Sequence, residues 1–134
     1  MTTAFNVVAP IQDASSEPFW TAAGEGKLLI QRCPTTGSFQ FYPRPFSLTD
    51  RSAEPEWVTA SGEGVVYTFS VVHRAASAPL PLPFVVAIVQ LSEGPRLLTH
   101  VVGCDPADVR IGMAVRVTMT DVGNSTVLPQ FTPA

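Results

Sequence analysis

The C-terminal half of the sequence contains five short apolar segments, and no segment between them has helical periodicity. Turn residues such as Gly94-Pro95 and Gly123-Asn124 separate neighbouring segments. Short strands that follow one another without helices are typical of a small closed barrel, and a β-sandwich also satisfies the pattern. The predicted strands are 64–74, 84–91, 96–102, 113–119 and 126–131.

The first and second of these strands are joined by a proline-rich segment, 75–83, in which regular structure is not expected. Because such a segment is stiff, it could serve either as a preorganised binding edge or as a rigid connection within the barrel. The strand over 113–119 alternates apolar and polar residues, which predicts that Met113, Val115, Val117 and Met119 face inward.

The N-terminal part of the chain is mixed in composition and opens with one short helix. Ser15 or Ser16 can cap it and Gly24 can end it. Phe19 and Trp20 then form a bulky apolar stripe about two turns long. A helix this short is marginal alone, so we expect it to lie against its own domain or another chain.

A short antiparallel pair is predicted after the helix. Segments 27–32 and 38–42 form its strands, a turn over 33–37 joins them, and 47–56 is a polar loop. The composition changes near Gly62, which predicts two units, residues 1–61 and residues 62–134.

Charge excludes several classes of function. The 134 residues include only 8 Lys or Arg and 11 Asp or Glu, or 14% against about 25% in soluble domains. The net charge of −3 argues against a nucleic-acid-binding protein, which needs clustered cations. Low charge is also typical of a surface that a partner covers.

Targeting features are missing from the sequence. No apolar run approaches the roughly 18 residues that span a bilayer, and residues 1–12 do not resemble a signal peptide. The two cysteines do not make a disulfide framework. We therefore expect a cytoplasmic protein that is not bound to a membrane.

A zinc site is suggested by the outline of residues 33–50 but not by their chemistry. A zinc ribbon uses two Cys-x-x-Cys knuckles, that is, four thiolates. Cys33 begins the first knuckle, but Thr36, Ser47 and Asp50 occupy the other three positions. We expect no bound zinc, because one thiol, two hydroxyls and a carboxylate make a poor zinc site.

Catalytic signals are weak. His73 and His100 lie in or beside strands, with no nucleophile motif near them, and paired carboxylates cannot be inferred. The isolated basic residues near strand ends could bind coenzyme A phosphates, pair with a partner's acids or be solvated. They are Arg32, Arg44, Arg74 and Arg96.

Six segments in this order resemble the OB-fold family associated with acyl-CoA enzymes, whose members place a rubredoxin-like zinc ribbon before an OB barrel. They are LLIQRCPTTG, YPRPF, EWVTASGEGVVYTFSVVHR, PFVVAIVQL, RLLTHVVGCDPADVRIGMAVRV and LPQFTPA. The resemblance runs from about Phe19 to the C-terminus. It implies a mainly β fold, in which a short helix and a degenerate ribbon precede a five-stranded OB barrel.

The resemblance also implies a function. Family members are accessory subunits of thiolase-superfamily enzymes, such as retro-aldolases of steroid side-chain degradation, or accompany hotdog-fold hydratases or acyltransferases. The reacting groups belong to the larger partner. The implied role here is a non-catalytic subunit that stabilises a thiolase-like partner in a hetero-oligomer, for example a heterotetramer, and shares its acyl-CoA site.

The resemblance assigns residues to these roles. Arg32, Arg44 and Arg74 are candidates for the coenzyme A phosphates. The candidate partner-binding residues are Phe19, Trp20, Phe41, Tyr42 and Phe46. Only Cys33 matches the four ribbon cysteines, so the ribbon must be held by packing, which we expect from Leu29, Phe39, Phe41, Phe46 and Trp57.

Two other functions stay open at this stage. One is a stand-alone OB module for single-stranded nucleic acid or oligosaccharide, although its predicted strands offer few basic residues. The other is an independent hydratase or thioesterase that uses His73 or His100.

Overall fold

The N-terminal part of the protein forms one helix and a small sheet. The computed structural model describes residues 10–76, 80–123 and 125–134. Helix α1 spans Glu17–Gly24 and buries Phe19, Ala22 and Ala23. Ser16 is its N-cap residue as predicted, but its hydroxyl makes no capping bond to the helix and accepts from the Asp13 backbone N–H at 3.1 Å.

A three-stranded antiparallel sheet follows the helix, in the order β2-β1-β3. Strand β1 spans Leu29–Arg32, β2 spans Phe39–Gln40 and β3 spans Glu56–Thr59. The first two strands fall within the predicted pair, but β3 was not predicted. Its four residues follow Pro55 and pair with β1, 24 to 30 positions earlier, and local sequence does not encode such a distant pairing.

The C-terminal part is a closed five-stranded barrel in the order β4-β5-β6-β8-β7, which confirms the predicted barrel over the sandwich. Strands β6 and β8 are parallel at Val101 and Phe131, and the other pairs are antiparallel. The strands are β4 Glu63–Val72, β5 Phe84–Leu91, β6 Arg96–Val101, β7 Ala114–Gly123 and β8 Thr126–Pro133.

The predicted strand positions are confirmed, with β7 and β8 extending beyond the predicted ends. Val115 of β7 is buried, and Met113, which precedes the strand, packs partly buried against the core with Val117 and Met119, as the alternation predicted. The proline-rich segment 75–83 lies partly outside the described residues. One 3₁₀ turn, Pro106–Asp108, connects β6 to β7.

One hydrophobic core joins the two parts of the molecule. Barrel side chains such as Val66, Val89 and Phe131 belong to the same cluster as Phe19 of α1 and Ile30 of β1. The three-stranded sheet β2-β1-β3, which corresponds to the predicted ribbon, is held in part by the predicted side chains. Phe39, Phe41 and Trp57 pack against this cluster. Leu29 does not belong to the cluster as predicted. It is only partly buried, whereas its neighbours Leu28 and Ile30 are buried members of the cluster. Among the described residues, no helix is long and apolar enough to cross a membrane.

Candidate functional site

A cleft of about 720 Å³ lies between helix α1, the loop that follows β2 and the outer face of β6. Strands β5 and β6 are the second and third strands of the barrel, and their outer face is the usual ligand face of an OB-fold. Apolar and aromatic side chains dominate the lining, as is typical of small-molecule and partner sites.

Four aromatic rings form the wall on the helix side. The Phe19 ring lies edge-on to Trp20 at 4.9 Å between centroids and to Phe41 at 5.5 Å. Tyr42 stacks edge-on against Phe41 at 5.3 Å and is 42% exposed. The indole N–H of Trp20 is buried without a hydrogen-bond partner among the described residues. Edge-to-face contacts of this kind are favourable between aromatic rings, so they stabilise this wall.

Strand β6 forms the opposite wall through the alternation of its side chains. Arg96, Leu98 and His100 point outward into the cleft, and the residues between them are buried in the barrel. Leu98 is 71% exposed, which is unusual for a leucine at the centre of a sheet face.

The charge of the cleft comes from two arginines. Arg44 is exposed on the loop after β2, and its backbone N–H and C=O are both bonded by the Gln31 side chain. The Arg96 guanidinium lies 3.8 Å from the centre of the Tyr67 ring, and its Nε donates to Gln90 Oε1 at 3.3 Å. None of the described residues that line the cleft is acidic, so the cleft favours an anionic group.

His100 is the lining residue that most resembles an acid–base catalyst. Burial lowers its pKa, because a charged imidazole is disfavoured away from water. Its Nδ1 lies 3.3 Å from the Gln130 amide, and its ring packs edge-on to Phe84. Among the described residues, the side chains that contact the imidazole are the Gln130 amide and the Phe84 ring, and neither is a carboxylate.

The cleft collects some of the predicted site residues and leaves others outside it. Phe19, Trp20, Phe41, Tyr42 and Arg44 all line it.

The other predicted residues lie elsewhere. Arg32 pairs with Glu56 at 2.6 Å, Arg74 is exposed after β4, and Phe46 lies against the Arg51 guanidinium. His73 is likewise exposed at the end of β4. Sequence reasoning did not group Arg96 and Leu98 with the aromatic residues, although the alternation of segment 96–102 would have placed them on one face.

The four degenerate ribbon positions come together at the turns of the small sheet. The Thr36 N–H lies 3.5 Å from Cys33 Sγ, and the Asp50 N–H donates to Ser47 Oγ at 3.2 Å. Hydrogen bonds from the Ser47 and Thr36 hydroxyls lower the pKa of the buried Cys33 thiol to about 6. Within the described part of the chain, no three His, Cys, Asp or Glu side chains group as metal ligands do, so the donors do not fit zinc.

Comparisons with known proteins match both parts of the chain. The model of "ChsH2, rubredoxin-like zinc ribbon domain" matches residues 20–46, and that of "ChsH2, C-terminal OB-fold domain" matches residues 57–120. The 3-oxo-4,17-pregnadiene-20-carboxyl-CoA hydratase alpha subunit of Mycobacterium tuberculosis is 40% identical over 116 residues. That match covers 86% of this chain but only 37% of the mycobacterial subunit.

Two further relatives are closer to this chain in length. A DUF35 domain-containing scaffold protein of Methanocaldococcus jannaschii is 42% identical over 90 residues, which are 66% of this chain and 64% of the scaffold protein. A solved chain described as "Ltp2-ChsH2(DUF35) aldolase" superposes with a TM-score of 0.86 at 33% identity. The superposition covers 92% of this chain and 98% of that one.

Proposed function

The chain belongs to the ChsH2/DUF35 family, which joins a rubredoxin-like zinc ribbon to an OB-fold, and from that membership we propose that it is a non-catalytic accessory subunit of an acyl-CoA-processing complex. Its partner is a thiolase-like large subunit that carries the reacting groups. The substrate belongs to steroid side-chain or lipid degradation, in keeping with the substrate that the mycobacterial relative's name gives.

The exposed apolar surface around the cleft carries this proposal. The exposed fraction is 71% for Leu98, 46% for Tyr67 and 42% for Tyr42. Arg96 makes this surface continuous, because it lines the cleft and its guanidinium stacks on the Tyr67 ring. An apolar patch of this kind on a charge-poor protein marks a surface that another protein covers. We call these residues, with the cleft that they border, the cleft face.

The charges of the cleft face favour a partner of defined chemistry. Arg44 and Arg96 stand at the cleft without an acidic neighbour among the described lining residues. A fitting partner presents an apolar centre to Leu98 and carboxylates to the two guanidiniums. The unpartnered Trp20 N–H needs an acceptor, which a carbonyl of the partner or of a ligand can supply after a small shift of the side chain.

The same arginines suggest how the subunit helps to form an acyl-CoA site. Arg44 is the one member of the predicted phosphate-binding set that lies at the cleft and has a guanidinium with no salt bridge among the described residues. An arginine fork binds phosphate in a bidentate manner, so Arg44, aided by Arg96, is suited to the coenzyme A phosphates where the two subunits meet.

A hotdog-fold hydratase is the second candidate for the partner. The observation that favours it is the name of the mycobacterial relative, a hydratase alpha subunit. This chain spans only 37% of that subunit, so the likeness does not extend to its remaining portion.

Co-expression tests the proposal. The chain is produced with a thiolase-superfamily protein from its gene neighbourhood and, in parallel, with a hotdog-fold hydratase. We expect co-elution with the thiolase-like protein on gel filtration. Leu98→Glu should weaken this complex at least about tenfold, because it buries a charge at the centre of the contact.

Ile111→Glu is the matched control, since Ile111 is 70% exposed but does not line the cleft. It should leave the affinity unchanged. Equal effects of both substitutions would overturn the assignment of the cleft face. Separate elution, together with a large subunit that is soluble and active alone, would overturn the accessory role.

The acyl-CoA site has its own measurement in the assembled complex. Arg44→Ala should raise the KM for acyl-CoA roughly tenfold with little change in kcat, since a charged hydrogen bond to a phosphate is lost. Arg110→Ala, at an exposed position outside the cleft, should leave KM unchanged. An unchanged KM in Arg44→Ala would remove this chain from the coenzyme A site and leave the partner contact intact.

A further inference from the structure

Two turns of the ribbon, 33–37 and 47–50, meet at the positions where a zinc ribbon holds its metal. We infer that the ribbon of this chain folds without zinc, because two hydrogen-bonding systems built from its own side chains join the segments that the metal would join. One system consists of hydroxyls and links the two turns. The other is a pair of buried glutamines.

The hydroxyl system runs from one turn to the other through Thr49. Thr36 Oγ1 lies 2.7 Å from Thr49 Oγ1, which lies 3.2 Å from Ser47 Oγ. Ser47 is fully buried, and its oxygen accepts the backbone N–H groups of Thr49 and Asp50, both at 3.2 Å. The Ser47 hydroxyl therefore accepts these two N–H groups at a position where a zinc ribbon has a cysteine sulfur.

The one carboxylate of the set is engaged by hydroxyl groups, those of Ser52 and of Thr35 in the other turn. Asp50 Oδ1 accepts from the Ser52 N–H at 3.1 Å and from the Ser52 hydroxyl at 2.6 Å. Cys33 is the only thiol among the four ribbon positions, since the other three offer two hydroxyls and a carboxylate. Zinc in structural sites takes four ligands, almost always thiolate or imidazole, and a single thiol does not hold it.

The glutamine pair fastens the second loop to the sheet. Gln31 and Gln40 are opposite each other on β1 and β2, and Gln40 Nε2 donates to Gln31 Oε1 at 2.9 Å. Gln31 bonds both backbone groups of Arg44, at 2.8 and 2.9 Å. Gln40 accepts from the Leu48 N–H at 2.9 Å and donates to the Phe46 C=O at 3.1 Å.

These bonds hold the 44–48 backbone against strands β1 and β2. Both glutamines are buried, so each unmade bond would leave a desolvated polar group. A ribbon organised by zinc loses its fold when the metal is removed. One organised by these amides and hydroxyls does not.

The first experiment measures metal in the purified chain. We expect far less than one zinc per chain by mass spectrometry, no cobalt–thiolate absorption on addition of Co²⁺, and a Tm change below about 1 °C with EDTA. One equivalent of zinc, with a loss of Tm on chelation, would overturn the inference.

The second experiment removes the glutamine contacts. Gln40→Leu should lower Tm by roughly 4–10 °C, equally with and without EDTA, because the Leu48 N–H and the Gln31 carboxamide lose their partner. Gln12→Leu is the control at an exposed position and should leave Tm unchanged. A Tm for Gln40→Leu equal to that of the control would overturn the role of the pair.

The third experiment restores the missing donors. The triple variant Thr36→Cys, Ser47→Cys, Asp50→Cys should bind one Co²⁺ or Zn²⁺ per chain, since only donor chemistry separates these turns from a zinc site. If circular dichroism shows an intact fold and no metal binds, the two turns do not occupy ligand positions, and the inference fails.

Discussion

The barrel and the ribbon both have buried interiors, but polar side chains make up a larger share of the ribbon's interior. The barrel interior consists of side chains such as Val66, Val89 and Phe131, which are at most 1% exposed. The ribbon buries Gln31, Gln40 and Ser47 to a similar depth, together with Cys33. A cavity lowers the stability of an apolar interior, whereas an unmade hydrogen bond lowers that of a polar one. We therefore expect different substitutions to destabilise the two regions.

This contrast assigns different tasks to the two regions. The barrel closes on itself because each of its five strands pairs with two neighbours. The ribbon packs onto the shared core through Leu28 and Ile30, and α1 joins the same core through Phe19. The cleft lies between the two regions, where the outer face of β6 meets α1 and the loop after β2, whose Arg44 backbone is held by the Gln31 side chain.

The largest effect is expected in the barrel. Phe131 is fully buried on β8, beside the parallel pairing with Val101. Phe131→Ala should lower the free energy of unfolding by about 3–5 kcal/mol, through lost burial and the cavity left behind. Urea denaturation measures it, and Phe46→Ala, at a half-buried ribbon position, should cost clearly less. Equal losses would contradict the view that the barrel carries most of the stability.

The next largest effect is expected at the connection between β3 of the ribbon and β4 of the barrel. Gly62 precedes β4 at a φ of +83°, and a Cβ there would lie 2.6 Å from Val117 Cγ1. Gly112 has a φ of +87° with nothing within 4 Å of its Cβ position. Gly112→Ala should therefore cost about 1 kcal/mol for conformation alone, and Gly62→Ala about 1–3 kcal/mol more. The same cost for both variants would mean that the Val117 side chain moves aside without a penalty.

A smaller effect is expected in the ribbon from a single hydroxyl. Ser47→Ala removes the acceptor of two backbone N–H groups and should cost about 1–3 kcal/mol, measured by urea denaturation. Ser70→Ala, at an exposed position on β4, should cost less than about 0.5 kcal/mol. If Ser47→Ala were as mild as this control, hydrogen bonds would not be what holds the ribbon.

The smallest effect concerns pH. Burial lowers the pKa of His100 below its ordinary 6.5, so protonation favours the unfolded chain. Its contribution to stability is complete above about pH 6.5 and is lost as the pH falls from there through the folded pKa. Denaturation from pH 8 to 5 should show a shallower acid-side decline in His100→Gln, whereas His73→Gln, at an exposed position, should match the wild type. An unchanged decline in His100→Gln would show that the cleft side of β6 is well solvated.

The sequence by itself determined the five barrel strands and the short helix, since both depend on local periodicity, turn residues and caps. It also determined which donors the ribbon could offer a metal, because ligand chemistry is a property of residue identity. The family and its accessory role were inferred from the order of motifs, and the comparisons support the family.

Only the tertiary structure decided which residues meet. Strand β3, the Thr49 bridge and the bonds between Gln31 and Arg44 join positions that are 13 to 30 residues apart, and no local pattern encodes them. The structure also separated the predicted arginines, pairing Arg32 with Glu56 and leaving Arg44 at the cleft beside Arg96. The physical reason is that periodicity fixes which face a side chain takes, whereas its neighbours depend on how distant segments pack around the shared core.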